Sequence, residues 1–187
     1  QIPSEEPDSI CTVIEVGDWP IGICCLPSGD YVYVCCYYSA DVHVIRTSDD
    51  TVCDVIDLGG RSPRTICAAP SGDYIYVTHA DGFSVIRTAD NTVVVSDDFP
   101  TESQGICALP TGDYVYVSNY LMGYYVIQTS DNTIVETVYL GNYSAPDDIC
   151  ALPSGEYVYL ADWGLSTVHV IRTSDHSVTE SIQTHGG

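Results

Sequence analysis

Lysine is absent from this 187-residue sequence, and its basic complement is five arginines (Arg46, Arg61, Arg64, Arg87 and Arg172) against 26 aspartates and glutamates. The formal charge of −21 repels phosphate backbones and anionic bilayers alike, which excludes nucleic acid as a partner. Long apolar runs are missing too. No stretch reaches the ~18 residues that would span a bilayer, and no basic-plus-apolar leader is present, so a soluble domain without membrane insertion is expected. The chain opens at Gln1 without a methionine, which fits removal of a leader or precursor segment. No segment shows a helical period. A G-x-S-x-G elbow, an H-E-x-x-H pair, a phosphate loop and a dinucleotide fingerprint are all lacking, so no catalytic, cofactor-binding or metal-ligating residue is nominated.

What the sequence has is tyrosine, 15 of them, nine cysteines and a repeat. The stretch G-I-C-C-L-P-S-G-D-Y-V-Y-V begins at Gly22 and returns at Thr65, Gly105 and Asp148, a period of about 42 residues. Each copy reads as four strands. A short apolar strand of the I-C-A-L type ends in a Pro-Ser-Gly-Asp turn; a D-Y-V-Y-V strand follows; a V-H-V-I-R-T strand and a tight S-D-N-type turn lead into a closing strand. Such a unit cannot bury its own apolar faces and must stack on its neighbours. The expected fold is therefore all-β, a β-propeller of four four-stranded repeats, with residues 1–10 as an extended arm and 11–187 as one domain.

These repeats resemble the YVTN-repeat propellers, whose pattern is similar to P-x-G-I-A-x-x-P-x-G-x-Y-x-Y-V-x-N followed by V-x-V-I-D-T-x-x-N-T-V-x-x-x-I-x-V-G; the copy from Gly105 to Gly141 is the best match. The resemblance implies blades around an axis with the I-C-A strand innermost, and a cell-surface or surface-layer setting. The family commonly has about seven blades, and this sequence provides four.

One segment is in surplus. Cys11 to Val16 has the form of a closing strand, giving five closing strands for four repeats. An unpaired strand is a template for another chain. Pairing between subunits through Cys11, Val13, Ile14 and Val16, with Val178 and Ile182 of the last closing strand, makes an extracellular, non-enzymatic, self-assembling filament or surface array the leading expectation.

Cysteines fall in two groups. Cys24, Cys67, Cys107 and Cys150 share one repeat position and read as small buried hydrophobes. Cys11, Cys25, Cys35, Cys36 and Cys53 gather around the first repeat and are the disulfide candidates of a secreted protein. Two further readings remain open. A binding module would use the loops after each second strand, with Tyr38, Tyr120 and Trp163 as contacts for a glycan, peptide or ion. A propeller lyase or lactonase is the third. The turn carboxylates Asp49, Asp50, Asp90, Asp131 and Asp175, with Asp147 and Asp148, offer weak Ca2+ binding. Asn142-Tyr143-Ser144 is a glycosylation sequon.

Overall fold

A computed structural model of the chain describes residues 13–99 and 102–184. Four antiparallel four-stranded sheets follow one another along the chain, each a meander in sequence order. Blade 1 holds β1 (Pro20–Cys25), β2 (Tyr31–Cys36), β3 (Asp41–Arg46) and β4 (Thr51–Asp57). Blade 2 holds β5 (Pro63–Ala68), β6 (Tyr74–His79), β7 (Gly82–Arg87) and β8 (Thr92–Asp98). Blade 3 holds β9 (Ser103–Ala108), β10 (Tyr114–Asn119), β11 (Gly123–Gln128) and β12 (Thr133–Tyr139). Blade 4 holds β13 (Pro146–Ala151), β14 (Tyr157–Asp162), β15 (Thr167–Arg172) and β16 (Ser177–Gln183). The all-β, four-bladed propeller expectation holds.

The turn chemistry explains the repeat. In Leu26-Pro27-Ser28-Gly29 the Leu26 carbonyl accepts the Gly29 N–H at 2.9 Å, and Gly29 sits at φ 78°. Proline supplies the fixed φ and glycine the left-handed position. The β3–β4 ladder then shifts register between Val44 and Ile45, and the same bulge recurs at Val85/Ile86, Val126/Ile127 and Val170/Ile171. A bulge repeated at one place twists each outer strand alike.

Both faces of the second strands are buried, as in Ile75, Tyr76 and Val77. In blades 2 and 3 one face packs on the blade before and the other on the blade after. Tyr33, Cys35, Val42 and Val44 of blade 1 meet Ile66, Ile75, Val77 and Ile86 of blade 2 in one apolar cluster. Equivalent clusters join blades 2 and 3, and 3 and 4. The innermost strands stack sequentially, β1 on β5, β5 on β9, β9 on β13.

A hydrogen bond locks each of these interfaces. The Tyr33 hydroxyl donates to Asn91 Oδ1 at 2.9 Å, the Tyr76 hydroxyl to Asn132 Oδ1 at 2.6 Å, and Tyr116 Oη meets His176 Nδ1 at 2.6 Å. In each case a tyrosine from the second strand of one blade reaches the turn between third and fourth strands of the next. The receiving residues all lie at positive φ, 54°, 59° and 57°. That backbone conformation aims the side chain back at the preceding blade, and asparagine tolerates it better than most residues.

The arc has two open ends. Ile66, Ile106 and Ile149 are 8%, 8% and 4% exposed because each first-strand isoleucine rests on the preceding blade, whereas Ile23 of blade 1 is 67% exposed. The surplus strand expected at 11–16 is not a strand in its described part. Residues 13–16 pair with no ladder, and Ile14 and Val16 pack on Val34, Cys36 and Ile45 of their own blade 1. They occupy the place that Ile56 and Leu58 take against blade 2. A closing strand needs the third strand of its own blade to pair with, and no such strand lies beside residues 13–16. The arm expected at 1–10, and Cys11, lie outside the described residues.

His176 couples the last interface to pH. Burial lowers the imidazole below its ordinary pKa, although Glu136 and Asp175 pull the other way. The folded state thus binds this proton less readily than the unfolded chain. Its contribution is complete above the unfolded value of about 6.5 and is lost as pH falls through the lower folded value. His176→Asn, copying the other two turns, should keep the bond from Tyr116 and weaken the loss of thermal stability between about pH 7 and 5; an unchanged pH profile would contradict this assignment.

Candidate binding face

The loops after the second strands share one face with the loops that enter each blade, and aromatic side chains collect there. Tyr120 and Trp163 stack at 6.1 Å with their planes 28° apart. Tyr38 does not join them. It meets Trp19 edge-on at 5.0 Å and Tyr37 at 5.2 Å. Trp19 adopts φ 59° just before β1, and its carbonyl accepts the Tyr37 N–H.

Arg64 connects the two aromatic groups. Its guanidinium carbon lies 5.9 Å from the Tyr37 ring centroid, and it donates to Gln104 Oε1 at 3.1 Å and Glu102 Oε2 at 2.9 Å. The Glu102 carbonyl in turn accepts the Tyr120 N–H at 2.8 Å. Trp19, Ile21, Tyr37, Tyr38 and Arg64 line a cavity of about 180 Å³. Exposed aromatic faces beside an oriented guanidinium suit a ligand with both C–H surfaces and hydroxyl or carboxylate oxygens. Trp19, Ile21, Tyr37 and Arg64 are contacts that sequence reasoning missed. The signal for Trp19 was its rarity, since the only other tryptophan is Trp163.

Below this face, equivalent positions of the blades carry buried polar clusters. In blade 2, His79 bonds Asp81 through Nδ1 at 2.8 Å and Ser84 through Nε2 at 3.2 Å, and Ser84 bonds Ser96. In blade 4, His169 Nδ1 meets Ser181 Oγ at 2.9 Å and Nε2 meets Asp162 Oδ2 at 3.4 Å. Burial would raise the Asp162 carboxyl, but bonds from Ser144, the Ala145 and Leu165 amides and His169 outweigh it and hold the group below its ordinary value. The recurrence of such clusters at one blade position marks them as stitches between strands and loop.

The remaining sequence-nominated residues are scattered. Val13 and Ile182 are exposed, while Ile14 and Val16 cover blade 1. Val178 packs into the core between blades 3 and 4, so it is not free for another subunit. No disulfide joins Cys25, Cys35, Cys36 and Cys53, which are free thiols. Cys35 is inside the core between blades 1 and 2, its neighbour Cys36 points to the opposite face, and Cys25 and Cys53 lie exposed on innermost and outermost strands. Burial, then the Cys25 thiol, pushes Cys24 up to about 12, and burial, then the Cys150 thiol, does the same to Cys107. Burial raises Cys67 well above its ordinary value too. Cys24, Cys67 and Cys107 therefore stay protonated, without thiolate reactivity, whereas Cys150, expected from the sequence to be buried, is exposed at the open face of blade 4.

Three of the turn carboxylates are already engaged with arginine, while Asp50 is not. Asp49, Asp90 and Asp175 pair with Arg46, Arg87 and Arg172 three residues earlier and accept bonds from Thr51, Thr92 and Ser177. Asn142 is exposed, but Ser144 of the sequon is buried against Asp162 at 2.6 Å, so the folded loop hides half of the recognition element.

No protein-family model matches the sequence, and no curated protein matches it. The resemblance to YVTN repeats therefore supports fold without placing the chain in that family. A solved structure of hydrazine synthase from Kuenenia stuttgartiensis superposes with a TM-score of 0.82 at 21% identity, over 92% of this chain and 51% of that one. The likeness is one of fold, and this chain spans about half of that chain's length.

The thiol environments give a direct check. In the reduced, folded protein a water-soluble alkylating reagent mapped by mass spectrometry should modify Cys25, Cys53 and Cys150 first, with Cys35 modified only on unfolding. Rapid modification of Cys35 would contradict the packing between blades 1 and 2.

Proposed function

We propose that this four-bladed unit is a non-enzymatic assembly module of an extracellular or surface structure, which closes its open ends against a second copy of itself. One observation carries the reading: the two ends of the arc bear the two unmatched halves of a single blade-to-blade interface. At the blade 4 end, Tyr159 occupies the position of Tyr33, Tyr76 and Tyr116 but is only half-buried, and its hydroxyl has no hydrogen-bond partner among the described residues. At the blade 1 end, Asp50 occupies the turn position of Asn91, Asn132 and His176, at φ 54°, equally without a partner.

The apolar halves match as well. Ile23 stands where Ile66, Ile106 and Ile149 are buried, and Leu152 and Val168 of blade 4 are half-buried where Leu109 and Tyr124 are covered. Docking blade 4 of one copy on blade 1 of the next joins Tyr159 to Asp50 and covers Ile23. Such a head-to-tail contact gives a ring where the rotation closes and a filament where it does not. The contact is face-to-face packing between blades, in place of the strand pairing that the sequence suggested. The acidic, lysine-free surface supports life outside the cell and keeps unassembled units hydrated.

Burying Ile23 is worth about 1.5–3 kcal/mol. Ile23→Asp should therefore weaken association by more than roughly tenfold in sedimentation-velocity titrations, while leaving monomer stability within about 0.5 kcal/mol because the side chain is exposed in the isolated arc. Tyr159→Phe should cost roughly 2- to 10-fold. Wild-type protein that stays monomeric at every concentration would sink the proposal.

A second reading rests on the stacked pair Tyr120–Trp163 and the Trp19–Tyr38–Arg64 cavity: a cell-surface module for a glycan. Trp163→Ala should abolish retention on an immobilised acidic or neutral glycan that holds the wild type. Equal retention of both would remove the aromatic face from consideration.

A further inference from the structure

Blade 1 departs from its sister blades at the polar stitch. In blades 2 and 4 the register places Ser96 opposite Ser84 and Ser181 opposite His169, and both serines hydrogen-bond across the strands. In blade 1 the residue opposite His43 is Val55. His43 Nδ1 and Asp41 Oδ1 are consequently buried without hydrogen-bond partners. Leaving the Asp41 oxygen buried and unsatisfied costs roughly 1–3 kcal/mol, a cost that an ion bound there would remove.

Beside them lies a thiol. Cys36 is fully buried at the end of β2, paired in register with Asp41 at the start of β3. The ligand atoms of Cys36, Asp41 and His43 all lie within 4.8 Å of one another. His43 Nε2 and Asp41 Oδ1 are 3.3 Å apart, yet they do not form a hydrogen bond. A separation of 3.3 Å is one that two ligands of a single ion can take. Bonds of about 2.0–2.1 Å from nitrogen and oxygen and about 2.3 Å from sulfur, at tetrahedral angles, put ligand atoms roughly 3.3–3.6 Å apart.

The chain also passes close over the cluster without a side chain. Gly17 passes directly over the cluster, and a Cβ there would fall 2.6 Å from Ser39 Oγ, 2.9 Å from Cys36 Cβ and 3.0 Å from His43 Nε2. The Asp18 amide donates to Ser39 Oγ at 2.7 Å and fastens the strap. We infer that Cys36, Asp41 and His43 bind a divalent transition-metal ion of borderline softness, zinc by preference, under a lid formed by Gly17.

Thiolate, imidazole and carboxylate together fit zinc better than calcium or magnesium, which take oxygen ligands. Three protein ligands leave a fourth position for water. On binding, the Cys36 thiol gives its proton to solvent, and His43 coordinates through Nε2 while Nδ1 keeps its hydrogen. The site stands independently of self-assembly, since all of its residues belong to one blade and the segment packed on it.

The test is a Co2+ titration of the reduced full chain under anaerobic conditions, followed by displacement with Zn2+. The expected result is a thiolate-to-cobalt charge-transfer band with the visible bands of a four-coordinate ion, saturating at one equivalent and erased by zinc. Cys36→Ser should lose the charge-transfer band, and His43→Gln should weaken binding by more than about tenfold, since even outer-shell changes cost 10–100-fold. Cys150→Ser, at an exposed thiol on another blade, should titrate like the wild type. Gly17→Ala keeps all three ligand residues but crowds Cys36 and His43 Nε2 with a methyl group, so it should weaken binding with an unchanged circular-dichroism spectrum; it decides the matter where Cys36→Ser fails to fold. No charge-transfer band in the wild type, or an undiminished band in folded Gly17→Ala, would overturn the assignment.

Discussion

A tyrosine hydroxyl reaching from each blade to a left-handed turn residue of the next sets the stagger of the whole arc. The apolar faces on either side of Tyr33, Tyr76 and Tyr116 are rich in valine and isoleucine, and such surfaces slide past one another with little change in buried area. The hydroxyls do not slide. Burial pushes the Tyr33 hydroxyl up to about 12, with neighbouring thiols adding to the effect, so it remains a protonated donor at any physiological pH. Each bond is worth only about 1 kcal/mol net, but leaving it unmade inside the interface costs more. The latch therefore specifies register where the hydrophobic packing supplies most of the stability.

The same constraint explains why the ends matter. An interior blade offers a tyrosine forward and a turn acceptor backward, and both are used. Blade 4 and blade 1 each keep one half unused, at Tyr159 and Asp50. Asp50 is the one carboxylate among the four turn acceptors, and a tyrosine donating to it would make a charge-assisted bond, shorter and stronger than the amide equivalents. The segment around Ile14 and Val16 shields only the outer part of blade 1 and leaves Ile21 and Ile23 bare at the inner rim.

Much of the fold was legible because its information is local. Pro27 and Gly29 fix a turn from four consecutive residues, and the repeated Tyr-Val-Tyr-Val runs announce strands buried on both faces. Counting loops placed Tyr38, Tyr120 and Trp163 on one face, but did not show that Tyr120 and Trp163 stack while Tyr38 turns to Trp19. The latch was not legible, because Tyr76 and Asn132 lie 56 residues apart and each has a sufficient local explanation, a strand tyrosine and a turn asparagine. The strand expected at 11–16 failed for a related reason: its pattern is right, but a strand is a property of its neighbours. Cysteine counting misled in the same way, since Cys35 and Cys36 are consecutive and thus face opposite sides of the sheet. The grouping of Cys36, Asp41 and His43 becomes visible only when Gly17 is seen lying over them.

The central claim is that Tyr159 of one copy seats on the Asp50 turn of another. Replacing Tyr159 by a photo-crosslinking benzoylphenylalanine, irradiating a mixture of isotopically light and heavy protein, and mapping the adducts by mass spectrometry tests it directly. The account predicts mixed light–heavy crosslinks from position 159 into the peptide containing Asp50. Crosslinks confined to single chains, or mixed crosslinks that avoid that turn, would contradict it.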